Sequence, residues 1–335
     1  MNATTNRQWL FKGRPDGALG AEHFEWRTHS IPTPNEGEVL VRVRLISIDP
    51  ANRAWMNGRT YRDQLAGGEV MEGLALGEVV TSTDASFEAG DLVEGLLGWQ
   101  DYAAKPAAQL TKRRRDLPLE TQLGLLGPTG RTAYHGLIDV ARVRAGETIV
   151  ISGAGGAVGS IAGQIAKISG CRVVGVAGGA AKCAWLTDTL GFDGAVDYKA
   201  GELRRALKAQ CPHGVDVYFD NTGGEILDAC LSLMNPFGRI VCCGNVSQYN
   251  VARPSGGPVG VPGLLVTKRI RMEGFLYGDF EHTAAKAERA LEHWARESKL
   301  IVANDIIDGL ENAPTALIGM FEGRNRGKLS VRVTP

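Results

Sequence analysis

Long apolar runs are missing from this sequence, and so is an excess of either charge. Its 335 residues contain no window of about 18 consecutive apolar residues, the length that a membrane-spanning helix requires. The opening stretch MNATTNRQWLFKGRPDG is polar and lacks the apolar core of a secretory signal. The 37 basic residues equal the 37 acidic ones, so no nucleic acid is expected as a general partner. We therefore expect a soluble protein of the cytoplasm that binds no membrane.

Cysteine is absent from the first half of the chain. The six cysteines occupy positions 171, 183, 211, 230, 242 and 243 and include no C-x-x-C pair. A disulfide framework or a structural zinc site would need paired spacings, so we expect reduced, buried thiols. The six histidines likewise show no H-E-x-x-H or other metal-binding spacing. The sequence therefore predicts no metal site.

The two halves of the chain differ in pattern, and the length allows two domains with substantial cores. Between about residues 24 and 110, short strand-like stretches are separated by glycine, proline and aspartate. In VLVRVRL, Val39, Val41, Val43 and Leu45 occupy alternate positions, which indicates a strand with one buried face. This half is predicted to form an irregular β barrel.

The second half alternates strand-like and helical stretches. The strand-like ones are TIVIS, CRVVGVA, GAVDY, VDVYFDN, GRIVCCG and RIRMEGFLY. Six strands with intervening helices indicate an α/β unit built on a doubly wound parallel sheet of the Rossmann type. A long helix is expected at about residues 281 to 297, and the final stretch GKLSVRV is expected to rejoin the N-terminal barrel.

The stretch IVISGAGGAVGS, residues 149–160, lies between the first of these strands and an amphipathic helix. The literal G-x-G-x-x-G pattern fails from Gly153, but Ala154, Gly156 and Gly159 satisfy it with alanine first. The first position needs a small residue for a tight turn, the second lets the backbone approach a pyrophosphate, and the third lets helix and strand pack closely. The helix N-terminus then offers N–H groups and a positive dipole end to phosphates. We therefore predict a dinucleotide-binding loop rather than a glycine-rich turn without a ligand.

The residues after the next strand indicate which dinucleotide is bound. An NAD site usually places an acidic residue about 20 positions beyond the loop, to bond the ribose 2'-hydroxyl. Here VVGVAGGAAKC has no acid, Gly178 and Gly179 leave room, and Lys182 supplies a cation for a 2'-phosphate. NADPH is therefore favoured over NADH. The alternative is that Lys182 only solvates the start of a helix.

With these motifs in place, the chain resembles the medium-chain dehydrogenase/reductase superfamily. Within it, the chain is similar to the zinc-independent prostaglandin and leukotriene reductases, or double-bond reductases, and to bacterial curcumin reductases. The resemblance is carried by GLLGPTGRTAYHGL, SGAGGAVGSIAGQIAKISGCRVVGVAGGAAKC, VDVYFDNTGGEILDA, GRIVCCGNVSQYN, KRIRMEGF and GRNRGK, in that order. Zinc alcohol dehydrogenases of the superfamily carry Gly-His-Glu where this chain has LALGEVV, which disfavours a catalytic zinc.

The resemblance implies a GroES-like irregular β barrel domain, residues 1–126 with 300–335, and a Rossmann NADPH-binding domain, residues 127–299. It also implies a homodimer. By motif it assigns a set of cofactor-binding residues. These are Gly155, Gly156, Ala157, Val158, Gly159, Lys182, Tyr198, Asn221, Cys243, Gly244, Ser247, Tyr249, Phe275, Leu276, Tyr277 and Asn325. Asn221 as a simple turn residue and Phe275 as plain core are the structural alternatives.

The implied reaction is the NADPH-dependent reduction of the carbon–carbon double bond of an α,β-unsaturated ketone or aldehyde. Hydride addition to the β-carbon leaves negative charge on the carbonyl oxygen, which needs a hydrogen-bond donor, and the α-carbon then needs a proton. Tyr249 in GNVSQYN is the candidate catalytic donor, because a phenol with a reference pKa of about 10 is neutral at pH 7. A purely structural buried tyrosine is the alternative.

Four aromatic side chains are candidates for contacts with the substrate, with ordinary packing or exposure as the alternative for each. They are Trp55, Tyr61, Trp99 and Tyr277. Two positions depart from the family pattern. Many relatives have Tyr-Met-Arg where this chain has Ala51–Arg53, and relatives tend to have an apolar residue at the position of Arg131. Both departures concern the substrate rather than the cofactor.

Other functions remain compatible with parts of the sequence. A metal-free NADPH quinone oxidoreductase shares the fold and the cofactor, and its product would be a hydroquinone instead of a saturated ketone. From another class, an NADPH-binding protein without turnover or an RNA-binding protein could use TKRRRD, residues 111–116. Four consecutive cations are usually a solvated loop, and the balanced charge disfavours RNA binding.

Overall fold

The computed structural model describes residues 4–253 and 257–334, and the chain divides into two compact units. One unit comprises the chain up to Leu123, Asn304–Asn325 and the stretch from Leu329 onward. The other comprises Gly124–Ala303 and Arg326–Lys328. The three-residue stretch belongs to the second unit because Gly327 donates its N–H to Gly155 O at 3.0 Å and Lys328 donates its N–H to Ala303 O at 2.9 Å. The sequence motifs alone did not indicate that Arg326–Lys328 would belong to the second unit.

The first unit is built on an antiparallel, barrel-like sheet, which confirms the fold class expected for this half. Its strands are β1 Thr5–Phe11, β2 Phe24–Ser30, β3 Glu38–Ser47, β4 Leu74–Ser82, β5 Leu92–Leu96, β6 Tyr102–Pro106, β7 Thr111–Arg113, β14 Asn304–Asp308 and β15 Lys328–Arg332. Its helices are α1 Pro50–Asn57, α2 Leu119–Leu123 and α10 Ala313–Phe321. Seven of the strands form one sheet, and β1 pairs with β2 separately. The C-terminal β15 pairs antiparallel with β3, as the sequence predicted.

The central strand β3 shows how the sequence pattern shapes this sheet. Val39, Val41 and Val43 are buried in the main barrel core, as their alternation predicts. The register against β4 shifts between Val43 and Leu45. A shift of this kind turns later side chains to the opposite face. Leu45 therefore packs in a separate small cluster, while Ile46 rejoins the main core.

The second unit is a doubly wound α/β domain. Its elements are α3 Pro128–His135, β8 Thr148–Ser152, α4 Ala157–Ile168, β9 Arg172–Ala177, α5 Ala180–Asp188, β10 Gly194–Asp197, α6 Leu203–Gln210, β11 Val215–Asp220, α7 Gly224–Leu233, β12 Met234–Cys242, α8 Val261–Lys268, β13 Arg271–Gly274 and α9 Ala284–Arg296. The six strands are parallel in the order β10-β9-β8-β11-β12-β13. This is the Rossmann order, and each strand was predicted from its apolar stretch. Ligands of such sheets bind at the carboxyl ends of the strands, next to β8 and β11.

Helix α3 precedes the first of these strands and continues into a π-helical segment, Gly136–Ala141. Proline at the first position of α3 fits a helix start, since its missing N–H would have no partner there. The packing at Gly136 is close: a Cβ there would lie 2.5 Å from Phe219 Cε2 and 2.8 Å from Phe275 Cζ. The segment that follows β13 therefore packs against α3.

The helix expected at residues 281 to 297 is shorter in the structure. A 3-10 segment, Tyr277–Thr283, precedes α9, and Phe280 within it has non-helical backbone angles. Ala287 and Leu291, four positions apart, bury one face of α9. Among the described residues, no helix combines the length and the apolar character needed to cross a membrane.

Candidate functional site

The predicted dinucleotide-binding loop connects β8 to α4. Gly153 has a φ of +57°, in the left-handed region, so Gly153 makes the tight turn that the motif frame assigned to Ala154. Ala154 is completely buried instead. Gly156 is the N-cap residue of α4, and no described side chain caps this helix start. The N–H groups of the first turn are therefore positioned to bind an anion.

Gly159 brings α4 against the loop. A Cβ at this position would lie 2.8 Å from Ala154 Cα, closer than real Cβ atoms approach another atom. This is the close packing of helix and loop that the third glycine of the motif predicts. The stretch Arg326–Lys328 also lies against the loop through the bridge between Gly156 and Gly327. Asn325, just before that stretch, is buried.

Two lysines and a tyrosine lie around the loop and the end of β9. A Cβ at Gly155 would lie 3.1 Å from Lys182 Cδ, so the aliphatic stem of Lys182 lies along the loop. A Cβ at Gly178 would lie 2.9 Å from Lys199 Cε and 3.0 Å from Tyr198 Cε1. Glycine at position 178 therefore leaves the space that the Lys199 and Tyr198 side chains occupy. Lys199 was missed in the sequence analysis, although it directly follows Tyr198 in VDYK.

Asp197, the acid nearest in sequence to this group, is engaged by the backbone. Its carboxylate accepts hydrogen bonds from Gly179 N at 2.8 Å and from Lys199 N at 2.9 Å. These two bonds lower the pKa of Asp197. The carboxylate thus fixes the turns that carry Gly179 and Lys199.

The carboxyl ends of β8 and β11 are joined by a polar network. Asn221 donates its backbone N–H to Ser152 Oγ at 2.9 Å and its side-chain amide to Ser152 O at 2.7 Å. The Asp220 carboxylate accepts from the Tyr218 hydroxyl at 2.8 Å and from Gly223 N at 2.7 Å. Asn221 is therefore held rigidly beside the start of the dinucleotide loop.

The segment after β12 is attached to the same network. Cys243 and Gly244 donate their N–H groups to Asp220 O at 2.8 and 3.1 Å. Ser247 donates its hydroxyl to Thr222 O at 2.6 Å. Burial raises the pKa of the Cys243 thiol to about 12, so the thiol is neutral at pH 7.

Tyr249 closes this segment and is half-buried. Asn245 donates its backbone N–H to the Tyr249 hydroxyl oxygen at 3.2 Å. Burial raises the pKa of the Tyr249 phenol; the bond from Asn245 lowers it and the nearby Cys243 raises it, and the net shift is upward. The phenol is therefore protonated at neutral pH and chemically able to donate a proton.

The segment after β13 carries the predicted residues Phe275, Leu276 and Tyr277. Leu276 and Tyr277 are exposed, and Phe275 meets Phe280 edge to face, with 6.2 Å between the ring centroids. The guanidinium carbon of Arg131 in α3 lies 5.3 Å from the centroid of the Tyr277 ring. The Arg131 side chain also forms an ion pair with Glu281. Arg131, noted in the sequence as a departure, thus contacts the predicted site segment.

The first unit brings together two of its three predicted aromatic residues. Trp55, at the end of α1, donates its indole N–H to the Tyr61 hydroxyl at 3.1 Å. The guanidinium carbon of Arg62 lies 4.6 Å from the centroid of the Trp55 ring, and Arg62 pairs with Glu72. Tyr61 is 62 % exposed and open to a ligand.

Trp99 has a different environment. It is completely buried in the barrel core, where its ring stacks on Phe24 with 5.6 Å between centroids. A side chain with no exposed surface has packing, rather than substrate contact, as its evident role. The substrate contact predicted for Trp99 stays a prediction, and its ring contact in this structure lies within the core.

Metal ligands do not come together in the part of the chain that the structure describes. No group of three or more His, Cys, Asp or Glu side chains there is arranged to hold an ion. The six cysteines are all unpaired.

Two family models match the chain, one for each part of the fold. Residues 7–112 match the family described as the N-terminal domain of oxidoreductase. Residues 157–293 match the family described as zinc-binding dehydrogenase. The first lies in the barrel unit and the second in the Rossmann unit.

Similar proteins are found over nearly the full length. The chain is 42 % identical to NADPH-dependent curcumin reductase of Escherichia coli K12 over 335 residues, covering 98 % of this chain and 97 % of that protein. It is 39 % identical to mouse prostaglandin reductase 1 over 333 residues, covering 97 % and 98 %. The crystal structure of CurA from Vibrio vulnificus in complex with NADPH is similar with a TM-score of 0.94 at 39 % identity, covering 98 % of this chain and 99 % of that one.

Proposed function

The chain belongs to the zinc-independent prostaglandin and leukotriene reductase family of medium-chain dehydrogenases/reductases, and we propose from this membership and its site that it is an NADPH-dependent double-bond reductase. It reduces the carbon–carbon double bond of α,β-unsaturated ketones and aldehydes to give the saturated carbonyl compound. The observation that best supports this function is a set of hydrogen bonds that joins two segments at the carboxyl edge of the sheet. Asn221 binds Ser152, at the start of the dinucleotide loop, and its carbonyl accepts the N–H of Val246 in the Tyr249 segment.

The residues present fit NADPH. The uncapped start of α4 suits the pyrophosphate, with Gly155 to Gly159 around it. Lys182, Tyr198 and Lys199 suit the 2'-phosphate, because cations and a hydroxyl lie together where an NAD site would need an acid. Further contacts are assigned to Asn221, to the Cys243–Tyr249 and Phe275–Tyr277 segments and to Asn325. When bound, NADPH supplies a hydride to the β-carbon of the substrate.

The protein's chemical contribution is to stabilise and protonate the enolate. Tyr249 is the assigned donor, since its phenol is neutral and its oxygen is oriented by the Asn245 N–H. A donor aimed at the developing negative charge lowers the barrier most when it is held in place beforehand. Contacts with the substrate are assigned to the four aromatic candidates Trp55, Tyr61, Trp99 and Tyr277.

The function is tested with purified protein, NADPH and a panel of enals, enones, curcumin-like dienones and quinones. Oxidation of NADPH with formation of the saturated ketone or aldehyde, identified by mass spectrometry, supports double-bond reduction. Formation of hydroquinone alone would identify a quinone oxidoreductase. No NADPH oxidation with any member of the panel would contradict an enzymatic role.

A homodimer is part of the proposal. In the described part of the chain β13 pairs only with β12, and it forms the edge of the six-stranded sheet. The adjacent α8 has no buried residue, and its Val266 is 75 % exposed. An unpaired edge strand beside exposed apolar surface is suited to pairing with a second copy. Light scattering should give twice the chain mass of 35.8 kDa, and the single mass would contradict the dimer.

A cytoplasmic location is the last part of the proposal. All six cysteines are unpaired thiols, which suits a reducing compartment. Fractionation of the native cells should recover the protein with cytoplasmic markers, and recovery with an oxidising compartment would contradict this location.

A further inference from the structure

Arg131 has one edge of its guanidinium only half-occupied. Its side chain is 6 % exposed, so the group is almost entirely removed from water. On the edge formed by Nε and Nη2, Nη2 pairs with Glu281. Nε is buried, and no hydrogen-bond acceptor for it exists among the described residues. A buried N–H without an acceptor has lost its water and gained nothing in exchange.

The same protein shows this edge fully occupied elsewhere. Arg7 donates Nε to one carboxylate oxygen of Asp101 at 2.8 Å and Nη2 to the other at 2.9 Å. That arrangement is the side-on, two-bond pairing that guanidinium and carboxylate groups favour. Compared with Arg7, the edge of Arg131 lacks one carboxylate oxygen.

Glu281 is a replaceable partner for Arg131. Its side chain is 70 % exposed, so water can solvate the carboxylate if it leaves the arginine. It stands on the 3-10 segment Tyr277–Thr283 and makes one bond rather than two. A ligand carboxylate that bonds both Nε and Nη2 would therefore gain a hydrogen bond in the exchange.

The location of Arg131 connects this edge to the substrate. Its guanidinium carbon lies 5.3 Å from the centroid of the Tyr277 ring, and Tyr277 is assigned above to substrate contact. Gly136, five residues after Arg131 and directly after α3, also packs closely on Phe275. The half-occupied guanidinium edge thus lies beside the segment that is assigned to cofactor and substrate.

We propose that Arg131 is a specificity-determining residue that binds a substrate carboxylate, so that the preferred substrates are enones that carry a carboxylate group. This inference rests on the proposed double-bond reductase function. The carboxylate takes the edge formed by Nε and Nη2, and Glu281 moves into solvent. No covalent bond changes in this step, and the ligand carboxylate replaces Glu281 as the counter-charge of the arginine.

The test compares two substrates that differ in one charge. One is an enone with a carboxylate two methylene groups beyond its alkene, and the other is the methyl ester of the same compound. The methylene groups insulate the alkene from the carboxylate, so the reactivity of the double bond is matched. The readout is the ratio of kcat/KM for the acid to kcat/KM for the ester at saturating NADPH.

The wild-type ratio is expected to exceed one. Arg131→Met should lower the ratio by about tenfold or more, through a higher KM for the acid, because two charge-assisted bonds are lost. Arg131→Lys should give an intermediate ratio, since lysine keeps the charge but cannot form the two parallel hydrogen bonds of a guanidinium. Glu281→Gln should raise the ratio, because it removes the competing carboxylate from an exposed position. Arg204→Met, which removes a surface arginine paired with Asp228, serves as the matched control and should leave the ratio within about twofold.

Three results would overturn the assignment. They are a wild-type ratio below one, an equal loss for acid and ester in Arg131→Met, and an unchanged ratio in Glu281→Gln. The equal loss would show that Arg131 only supports the fold around Tyr277. Failure of the wild type to reduce either compound would instead contradict the proposed function.

Discussion

The backbone N–H of Asn245 donates a hydrogen bond to the phenol oxygen of Tyr249 across 3.2 Å. The two residues lie in one short segment after β12, so the ring is fixed relative to the backbone that holds it. By itself this bond lowers the pKa of the phenol, because it stabilises the phenolate, but burial raises the pKa by more. The net upward shift of the Tyr249 pKa keeps the proton on the phenol. The arrangement suits a donor that must be neutral until the enolate forms.

Replacing Tyr249 by phenylalanine should lower kcat for enone reduction by about 10- to 100-fold. The ring is kept, so the KM for NADPH should change little. Activity of the wild type should fall as pH rises through the pKa of Tyr249, which lies above the ordinary value of 10.0, because ionisation removes the proton. Stopped-flow measurement of single turnovers with a deuterated solvent control would separate protonation from hydride transfer.

The Tyr249→Phe variant has a clear contrary result. An unchanged single-turnover rate, with hydride transfer still rate-limiting, would show that water or another group supplies the proton. If the variant keeps its activity at pH 7 and no longer loses activity at alkaline pH, the ionised Tyr249 of the wild type only hinders the reaction electrostatically. The melting temperatures of the variant and the wild type are compared, as a control for altered folding.

Lys182 and Lys199 should select NADPH over NADH. Lys182→Ala and Lys199→Ala should each raise the KM for NADPH by about tenfold, since a charge-assisted contact with phosphate is removed. The KM for NADH should change by less than about twofold, because NADH has no 2'-phosphate for these cations. Steady-state kinetics with both cofactors at fixed enone measure the selectivity directly.

Lys208 provides a matched control for the two lysines. It is a basic residue in the last turn of α6, in the same unit, and is not part of the group around Gly178. Lys208→Ala should leave the preference for NADPH as it is in wild type. If Lys182→Ala raises the KM for NADPH and the KM for NADH equally, the lysine supports the loop and does not bind the 2'-phosphate.

Sequence periodicity predicted the strands of the Rossmann sheet, because six apolar stretches separated by helical ones admit few alternatives. The motif also predicted the loop. It assigned the tight turn to Ala154, however, whereas Gly153 makes it, since a motif gives residue types and not the φ of each position. The same limit applies to β3, where a register shift that no residue announces moves Leu45 to another cluster.

The contacts within the site were harder to predict. Arg131 and Glu281 are 150 positions apart, and their pairing depends on how α3 packs against the segment after β13. Trp99 and Trp55 are both tryptophans near polar loops, yet only the fold shows that Trp99 lies wholly in a core. Lys199 could have been found, because it stands beside Tyr198 in a stretch already assigned to the cofactor.

The cysteines should be unreactive in the folded protein. Burial raises the pKa of Cys171, Cys211 and Cys242 to about 11 and that of Cys243 to about 12. Since the thiolate is the reactive form, a raised pKa leaves little of it at pH 8. Titration with a thiol reagent should therefore be slow in buffer and rapid for all six residues in denaturant. Fast reaction of Cys242 or Cys243 in the native protein would show that the segment after β12 opens.

Gly159→Ala should damage both stability and cofactor binding, because the new Cβ would lie 2.8 Å from Ala154 Cα and the atoms it meets belong to the backbone. Backbone cannot move aside as a flexible side chain can, so the free energy of unfolding should fall by about 1–3 kcal/mol. The loop and the start of α4 would separate, and the Kd for NADPH should therefore rise.

Gly263→Ala is the matched control. Gly263 lies within α8 with open space at its Cβ position, and alanine there should be neutral or stabilise by up to about 1 kcal/mol. Urea denaturation measures the unfolding free energy, and quenching of tryptophan fluorescence measures NADPH binding. Equal behaviour of the two variants would mean that the contact between α4 and the loop is looser than the structure shows.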